Sequence, residues 1–363
     1  RLNAANSSVA AHLTVPGTKI EEWLDAGQCR DCFLPSFGYR PGGSAQYALA
    51  LQNFDDEGAP KRFNFGFIAS SDNHRARPGT GYKPVDRLRQ TEAVRLSASW
   101  RARVFPKGTP VAETKVIDRS TLMNLGFAAT EMERQASFWT TGGLAAVHAQ
   151  GRSRDAIFDA MERRETYGTS GARILLWFNT NGGTPMGGTV QTGKAPVFEV
   201  KAVGAHKQKP GCPEDTLDLL GAERMQKLCA NECYNPDDER LRISRIEIIR
   251  IRPQITADEK VEGLIDDPWL VHECPMNNEG CAFTFSDPEF AQSARMATYY
   301  ARAIQEPTER INADNLRCTY DENGNCIKLN ICYGDDRVDA EDGCTRPIEE
   351  RAWSSPIFVE YQR

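Results

Sequence analysis

Two kinds of run dominate the second half of the chain: uniformly apolar residues, and apolar residues that alternate with polar ones. Such runs predict strands over 174–178, Val197–Val203 and Ile243–Ile251. Glycine-rich turns at 181–183 and 187–188 separate the first two strands. Residues 172–363 are therefore predicted to form a mainly β region with cysteine-rich insertions.

The first half instead shows strands that alternate with helical patterns. A short aromatic run predicts a buried strand over 63–70, and a second apolar run predicts a strand over 143–148. A helix is predicted over 153–164, with Ser153 as its N-cap and Asp155 in its first turn. A strand followed by a loop and a helix is typical of the α/β class.

Two local signals in the second half predict a further helix and a hairpin. Asp287 as N-cap and Pro288 at the first helical position favour a helix over 287–304. Its apolar stripe consists of Phe290, Ala294, Ala297, Ala301 and Ile304. The dipeptide Asn323-Gly324 predicts a β-turn between two paired strands.

Charge and hydropathy exclude two classes of function. The 363 residues include 44 Lys and Arg against 50 Asp and Glu, which gives a net charge of −6. Nucleic-acid binding requires clustered basic residues, which this chain lacks. No apolar run reaches the roughly 20 residues that cross a bilayer. The chain starts at Arg1 without Met, a start that upstream proteolysis or the choice of expressed fragment would explain.

The cysteine content points to an oxidising compartment. Eleven cysteines, nine of them after Gly211, favour disulfides and a periplasmic or extracellular location. Structural zinc is the alternative, because Cys29-x-x-Cys32 and Cys229-x-x-x-Cys233 have ligand-like spacing. The odd number leaves at least one thiol outside intrachain pairs or bonded to another chain.

The clearest candidate chemistry follows the predicted strand over 63–70. Asp72 and His74 are two residues apart at the carboxyl end of that strand, so in an extended segment their side chains point the same way. A carboxylate and an imidazole suit Zn, Mn or Fe. An Asp that caps a turn beside an ordinary His is the alternative.

Other candidates are more loosely defined. His148 ends the strand over 143–148 and could act as acid or base or bind substrate; a packed or exposed His is the alternative. Arg77, Tyr82 and Lys83 could bind an anionic substrate group, whereas a solvated loop would also explain them.

Several short motifs occur in order along the chain: 23–29 with Cys32, 39–43, 65–74 followed by Pro78-Gly79, 143–147, 163–171 and 350–356. Together they resemble domain-of-unknown-function family 3604, which is related to the PHP (polymerase and histidinol phosphatase) metallo-hydrolases. The resemblance implies a distorted (β/α)7 barrel, of which residues 1–171 would be the carboxy-terminal part.

The same resemblance implies a site with two or three divalent metal ions, at which water attacks a phosphate ester. Asp72 and His74 match the closing Asp-x-His ligands. The opening His-x-His and Asp-His motifs of the family are absent, and two ligands do not hold a catalytic metal. We therefore expect an associated amino-terminal fragment to complete the enzyme. The alternative is a non-catalytic, disulfide-stabilised structural or binding subunit of an exported assembly.

Overall fold

The computed structural model describes residues 44–55, 58, 60–70, 143–229, 231–311, 318–323, 326–329 and 345–362. Within these ranges no helix combines the length and the apolar character needed to cross a membrane.

The described elements are mostly short strands, numbered here in chain order. The strands are β1 Gln52–Asn53, β2 Lys61–Arg62, β3 Leu144–Val147, β4 Thr166–Thr169, β5 Leu175–Thr180, β6 Thr189–Thr192, β7 Val197–Val203, β8 His206–Gln208, β9 Pro236–Arg240, β10 Ile243–Ile251, β11 Ile265–Glu273, β12 Cys281–Ser286, β13 Ala297–Gln305, β14 Thr308–Ile311, β15 Cys318–Tyr320, β16 Cys326–Leu329, β17 Thr345–Ile348, β18 Arg351–Ser354 and β19 Ile357–Tyr361. The α-helices are α1 Ala45–Ala50, α2 Arg154–Glu162, α3 Glu214–Leu220, α4 Ala222–Cys229 and α5 Glu289–Ser293, and a 3₁₀-helix covers Val261–Leu264.

An eight-stranded sheet forms the centre of the described structure. Six strands follow the order β11-β10-β13-β18-β4-β3, while β19 pairs with β13 and with β6. The β19–β6 pair is parallel, and the other pairs of this sheet are antiparallel. The central strands β10 and β13 are buried on both faces along most of their length, which explains their nearly continuous apolar sequence.

A three-stranded sheet, in the order β12-β7-β5, packs on this centre with one face. Phe198 joins the two sheets: its ring centroid lies 5.4 Å from Phe178, 5.1 Å from Phe285 and 4.7 Å from Tyr299 of β13. These rings belong to one buried cluster that draws residues from both sheets. Burial of large aromatic side chains is therefore the main contact between the two layers.

The predicted strand, loop and helix over 143–164 form as β3 and α2. Ser153 caps the helix, since its Oγ accepts a hydrogen bond of 3.2 Å from the backbone N of Ala156. The chain then returns as β4, which pairs antiparallel with β3, with Leu144 opposite Thr169. The unit is thus not the parallel strand–helix–strand repeat from which a (β/α) barrel is built.

The predicted (β/α)7 barrel is wrong. The described strands form separate, mostly antiparallel sheets, and none of these sheets closes on itself. Barrel closure of that type needs a parallel ladder with a helix after each strand. Residues 63–70, predicted as a strand, lie outside the ladders beyond β2. The eight-stranded sheet also takes β3 and β4 from residues 1–171 and its other strands from 172–363, so the two predicted regions share it.

The predicted helix over 287–304 is also wrong in its second part. Helix α5 ends after Ser293, where Ala294 has a positive φ of 50°, and the chain continues as β13. Strand β13 lies between β10 on one side and β18 and β19 on the other, so its alanines fill a sheet interior and not a helix face. The predicted hairpin is confirmed, because β15 pairs antiparallel with β16.

Candidate functional site

The predicted site residues differ in whether the structure describes them. Asp72, His74, Arg77, Tyr82 and Lys83 lie outside the described residues.

His148 follows β3 directly and is half-buried. Its Nε2 atom lies 2.9 Å from the carbonyl oxygen of Leu176, and its ring centroid lies 5.5 Å from Tyr167 and 5.9 Å from Trp177. Because a carbonyl only accepts hydrogen bonds, this contact requires the proton on Nε2. The ring is thus held by packing and by one hydrogen bond, and Nδ1 is the nitrogen left for any proton transfer.

The segment that leads to Asp72 is attached to strand β4 and to the turn between β18 and β19. The backbone N of Phe67 donates to Ser355 Oγ at 2.8 Å, and Thr166 Oγ1 donates to the carbonyl oxygen of Phe67 at 2.9 Å. The two hydroxyl oxygens lie 3.0 Å apart. Two side-chain hydroxyls therefore satisfy the backbone of a segment that makes no strand ladder.

Two glycines allow this segment to approach the sheet closely. A Cβ atom added to Gly168 would lie 2.9 Å from the backbone N of Ala69, and one added to Gly143 would lie 2.9 Å from the backbone N of Ser70. Both distances are shorter than a carbon atom tolerates, so a side chain at either glycine would displace the segment. The last described residue before Asp72 is two positions away, at Ser70, and lies against β3.

Trp177, beside His148, belongs to the outward face of the three-stranded sheet. We call this surface the outer sheet face. It consists of Trp177, Asn179, Glu199, Lys201, Ala282 and Thr284, which line an open groove.

The outer sheet face is built from two cross-strand rows. Trp177 pairs with Lys201, and Asn179 pairs with Glu199, whose other neighbour is Thr284. The Nζ atom of Lys201 lies 5.4 Å from the centroid of the Trp177 ring, within the range of a cation–π contact. One flat indole thus lies next to an amine, an amide, a carboxylate and a hydroxyl on a single surface.

An ion network around the buried Arg250 side chain was not predicted from the sequence. Arg250 of β10 binds the carboxylates of Asp266, Asp287 and Glu289 with N to O distances of 2.9, 3.1 and 2.7 Å. Tyr299 donates to Asp287 at 2.6 Å, and burial together with this carboxylate raises the pKa of the Tyr299 hydroxyl far above its usual range. Each of these groups forms an ion pair or a hydrogen bond with another member of the network. This arrangement indicates a stabilising role and not an open reaction site.

A second network lies along the same sheet. Glu247 of β10 accepts from Arg245 at 2.8 Å and from Arg302 at 2.6 Å, and Arg302 also reaches Asp267 at 2.6 Å. The sequence did carry a signal for both networks: Arg245, Glu247 and Arg250 interrupt an apolar strand. Charged residues within a strand that is buried on both faces must find partners there.

The predicted disulfides are confirmed by two pairs, Cys212–Cys233 and Cys274–Cys281. Cys229 belongs to neither pair, but its sulfur lies 2.9 Å from that of Cys233. Two pairs of cysteines have zinc-like spacing, and the structure describes one of them, Cys229 with Cys233. The sulfur atoms of this pair lie close together, and the Cys212 sulfur lies beside them.

Comparison with known proteins links part of the chain to one family. Residues 51–182 match the model of a family described as "Protein of unknown function (DUF3604)". The match supports the resemblance to that family seen in the sequence, and it includes every predicted site residue from Asp72 to His148. Neither a curated protein nor a solved structure matches the chain.

Proposed function

We propose that this chain contributes Asp72 and His74 as ligands to a metal-dependent hydrolytic site, with a phosphate ester as the substrate class. The observation that carries the proposal is the Asp-x-His sequence within the stretch that matches the family model. A hard carboxylate oxygen beside a neutral imidazole nitrogen suits Zn, Mn or Fe.

The anchored segment before Asp72 supports this proposal. Metal ligands must be held within about half an ångström of their productive positions, which requires a rigid support. Ser355 and Thr166 bind the backbone of Phe67, and Gly143 and Gly168 admit the following residues against β3 and β4. A ligand pair that starts two residues beyond Ser70 therefore follows a firmly held part of the chain.

The other candidate residues have defined roles in this proposal. A bound divalent metal would supply a hydroxide at neutral pH by lowering the pKa of its water. Arg77, Tyr82 and Lys83 bind the anionic group of the substrate, and His148 exchanges a proton through Nδ1. A catalytic metal usually takes three protein ligands, and Asp72 with His74 supplies two. An associated amino-terminal fragment supplies the remaining ligands of a site that holds two or three metal ions. We also propose an exported location, periplasmic or extracellular, on the strength of the two disulfides.

Metal content measured on natively isolated protein, together with anything that co-purifies, tests the proposal. We expect two or more equivalents of Zn, Mn or Fe, which are lost in Asp72→Asn and His74→Gln variants and retained in Asp155→Asn, a change at an exposed helix position. Hydrolysis of chromogenic phosphate esters should follow the metal, whereas sulfate and carboxylic esters would identify a different substrate class. A folded assembly without a bound transition metal would contradict the proposal.

A non-catalytic binding subunit is the second candidate, favoured by the outer sheet face. Its flat indole surrounded by hydrogen-bonding groups suits an oligosaccharide, which presents apolar C–H faces and hydroxyls together. A titration of Trp fluorescence with neutral oligosaccharides tests this function. Binding that disappears in Trp177→Leu and persists in Thr192→Ala would support it, and an unchanged signal with every oligosaccharide would reject it.

A further inference from the structure

Four sulfur atoms meet at the end of helix α4. We call this group the sulfur cluster: Cys212, Met225, Cys229 and Cys233. The Cys229 sulfur lies 2.9 Å from Cys233 and 3.8 Å from Cys212, and the Cys233 sulfur lies 4.0 Å from Met225 Sδ. The three cysteine sulfurs all lie within 4.8 Å of one another, although Cys212 and Cys233 are bonded as a disulfide.

We propose that the sulfur cluster binds one thiophilic metal ion, Zn²⁺ or Cu⁺, when the Cys212–Cys233 disulfide is reduced. Three thiolates and the Met225 thioether would be the ligands. Soft sulfur ligands favour these ions over Mg²⁺, Ca²⁺ and Mn²⁺. The sulfur cluster uses none of the residues proposed for hydrolysis, and the inference does not depend on the hydrolytic function.

The local sequence brings the four sulfurs together. Met225 and Cys229 are four residues apart on α4 and therefore share a face of the helix. Asn231 has a positive φ of 63°, and the turn at this residue returns the chain so that Cys233 meets that face. On the other side, Gly211 donates its backbone N–H to the Glu232 carboxylate at 2.9 Å, which holds Cys212 next to the turn.

The spacing of the sulfurs suits tetrahedral coordination. A Zn–S bond of about 2.3 Å in a tetrahedron separates ligand sulfurs by about 3.8 Å. The distances from Cys212 to Cys229 and from Cys233 to Met225 are 3.8 and 4.0 Å, so two edges of the tetrahedron already exist. Two other sulfur pairs are closer than 3.8 Å: Cys233 with Cys229, and Cys233 with Cys212, which are joined by the disulfide. Both of these distances would have to lengthen after the disulfide is reduced.

The surroundings also favour thiolates and keep the thioether out of solvent. The backbone N–H of Cys233 donates to Cys212 Sγ at 3.1 Å, a contact that strengthens when this sulfur becomes negative. Met225 is 1% exposed, so its thioether is presented to the cysteines and not to solvent. A buried thioether 4.0 Å from one of three clustered cysteine sulfurs is a more specific arrangement than a surface group of thiols.

Loading of the site involves a reductant and the release of protons. A dithiol donates two electrons and two protons to the Cys212–Cys233 disulfide, forms its own cyclic disulfide and leaves two protein thiols. Metal binding then displaces the protons of these thiols and of Cys229. The oxidised chain has a disulfide at this position and the reduced chain has a metal site, which makes metal binding dependent on the redox state.

Anaerobic titration with Co²⁺ tests the proposal, since thiolate ligands give this ion intense near-ultraviolet absorption. The full chain is reduced with dithiothreitol, freed of it by desalting and checked for native circular dichroism. We expect one equivalent of Co²⁺ in the cluster, displaced by Zn²⁺ or Cu⁺, and none there in the oxidised chain. Asp72→Asn should leave this signal unchanged, which separates it from the hydrolytic proposal.

Variants assign the ligands. Loss of an outer-shell group costs metal affinity roughly 10–100-fold, so Cys229→Ser should cost at least about tenfold and lower the absorption per ion. Met225→Leu keeps the volume and should weaken binding without loss of the thiolate band. The Cys274→Ser/Cys281→Ser double variant is the control for metal bound at other cysteines. No thiolate band in folded, reduced protein, or a band that Cys229→Ser leaves unchanged, would overturn the proposal.

Discussion

The Arg250 guanidinium donates a hydrogen bond of 3.1 Å from Nη1 to the Asp287 carboxylate, and both side chains are almost completely buried, at 8% and 2% exposure. This pair connects central strand β10 to a residue two positions before helix α5. Asp287 also accepts from Tyr299 of β13 at 2.6 Å, so one carboxylate joins three elements of the fold. A buried charge of this kind is stable only while its partners remain.

Arg250→Met should destabilise the fold strongly. The substitution leaves the buried Asp287 carboxylate without its cation, a change that typically costs about 3–5 kcal/mol. Urea unfolding measures the loss. Lys207→Met is the matched control, because Lys207 pairs with Glu239 on the surface, where ion pairs contribute about 0–1 kcal/mol. Equal stability of the two variants would contradict the structural role of Arg250.

Glu247 should make stability depend on pH in the acid range. Burial raises the pKa of Glu247, but Arg302 and Arg245 outweigh burial, and the pKa lies below its ordinary value. A lowered folded pKa means that the stabilisation is complete above the unfolded value of about 4.3 and is lost as the pH falls through the folded pKa.

We therefore expect wild type to lose more unfolding free energy than Glu247→Gln between about pH 5 and about pH 3. Urea unfolding across this range measures the difference, and Glu223→Gln, at an exposed position of α4, is the control. If Glu247→Gln showed the same acid dependence as wild type, the ion network would not contribute to stability.

Gly204→Ala should disrupt the connection between β7 and β8. An added Cβ would overlap the carbonyl oxygen of Leu241, a backbone atom that cannot rotate away. Overpacking typically lowers the free energy of unfolding by about 1–3 kcal/mol. We expect a loss at or above the upper end of this range, because the clash is with a backbone atom. Gly263→Ala is the control, since nothing lies within 4 Å of its added Cβ. Thermal unfolding should separate the two variants, and a wild-type midpoint for Gly204→Ala would refute the close approach.

Ser355→Ala should loosen the segment that precedes Asp72. The buried Ser355 hydroxyl accepts from the backbone N of Phe67, and its loss leaves that N–H unsatisfied at a cost of about 1–3 kcal/mol. Hydrogen exchange at the Phe67 amide reports the effect locally. Ser293→Ala is the control, because Ser293 only donates to the carbonyl oxygen of Phe290. Unchanged exchange at Phe67 would show that other contacts hold the segment.

Several features were predictable because their causes are local. The strands Val197–Val203 and Ile243–Ile251 have the predicted bounds. A short apolar run with β-branched residues strongly favours a strand. Ser153 was identified as a helix cap from its position before an amphipathic run. The presence of disulfides followed from cysteine content, whereas their pairing did not.

The candidate site was predictable only in part. The Asp-x-His motif is a sequence feature, and it lies within the stretch that matches the family model. The environment of His148 was not predictable, because its partner, the Leu176 carbonyl, is 28 residues away and is brought close only when β5 packs against the central sheet. The sulfur cluster was hidden for the same reason, since Cys212 meets Cys233 across 21 residues.

By itself the sequence determined which segments are apolar, where one helix begins, that cysteines pair, and which residues are available for metal chemistry. Tertiary structure alone decided that Ala297–Gln305 is a strand, that β3 and β4 run antiparallel, and that no described sheet closes into a barrel. The alanines of β13 fit a helix by local propensity. A place between β10 and β18 satisfies the backbone of this segment, and the core clusters on the two sides of the sheet bury its side chains. This long-range gain outweighs the local preference.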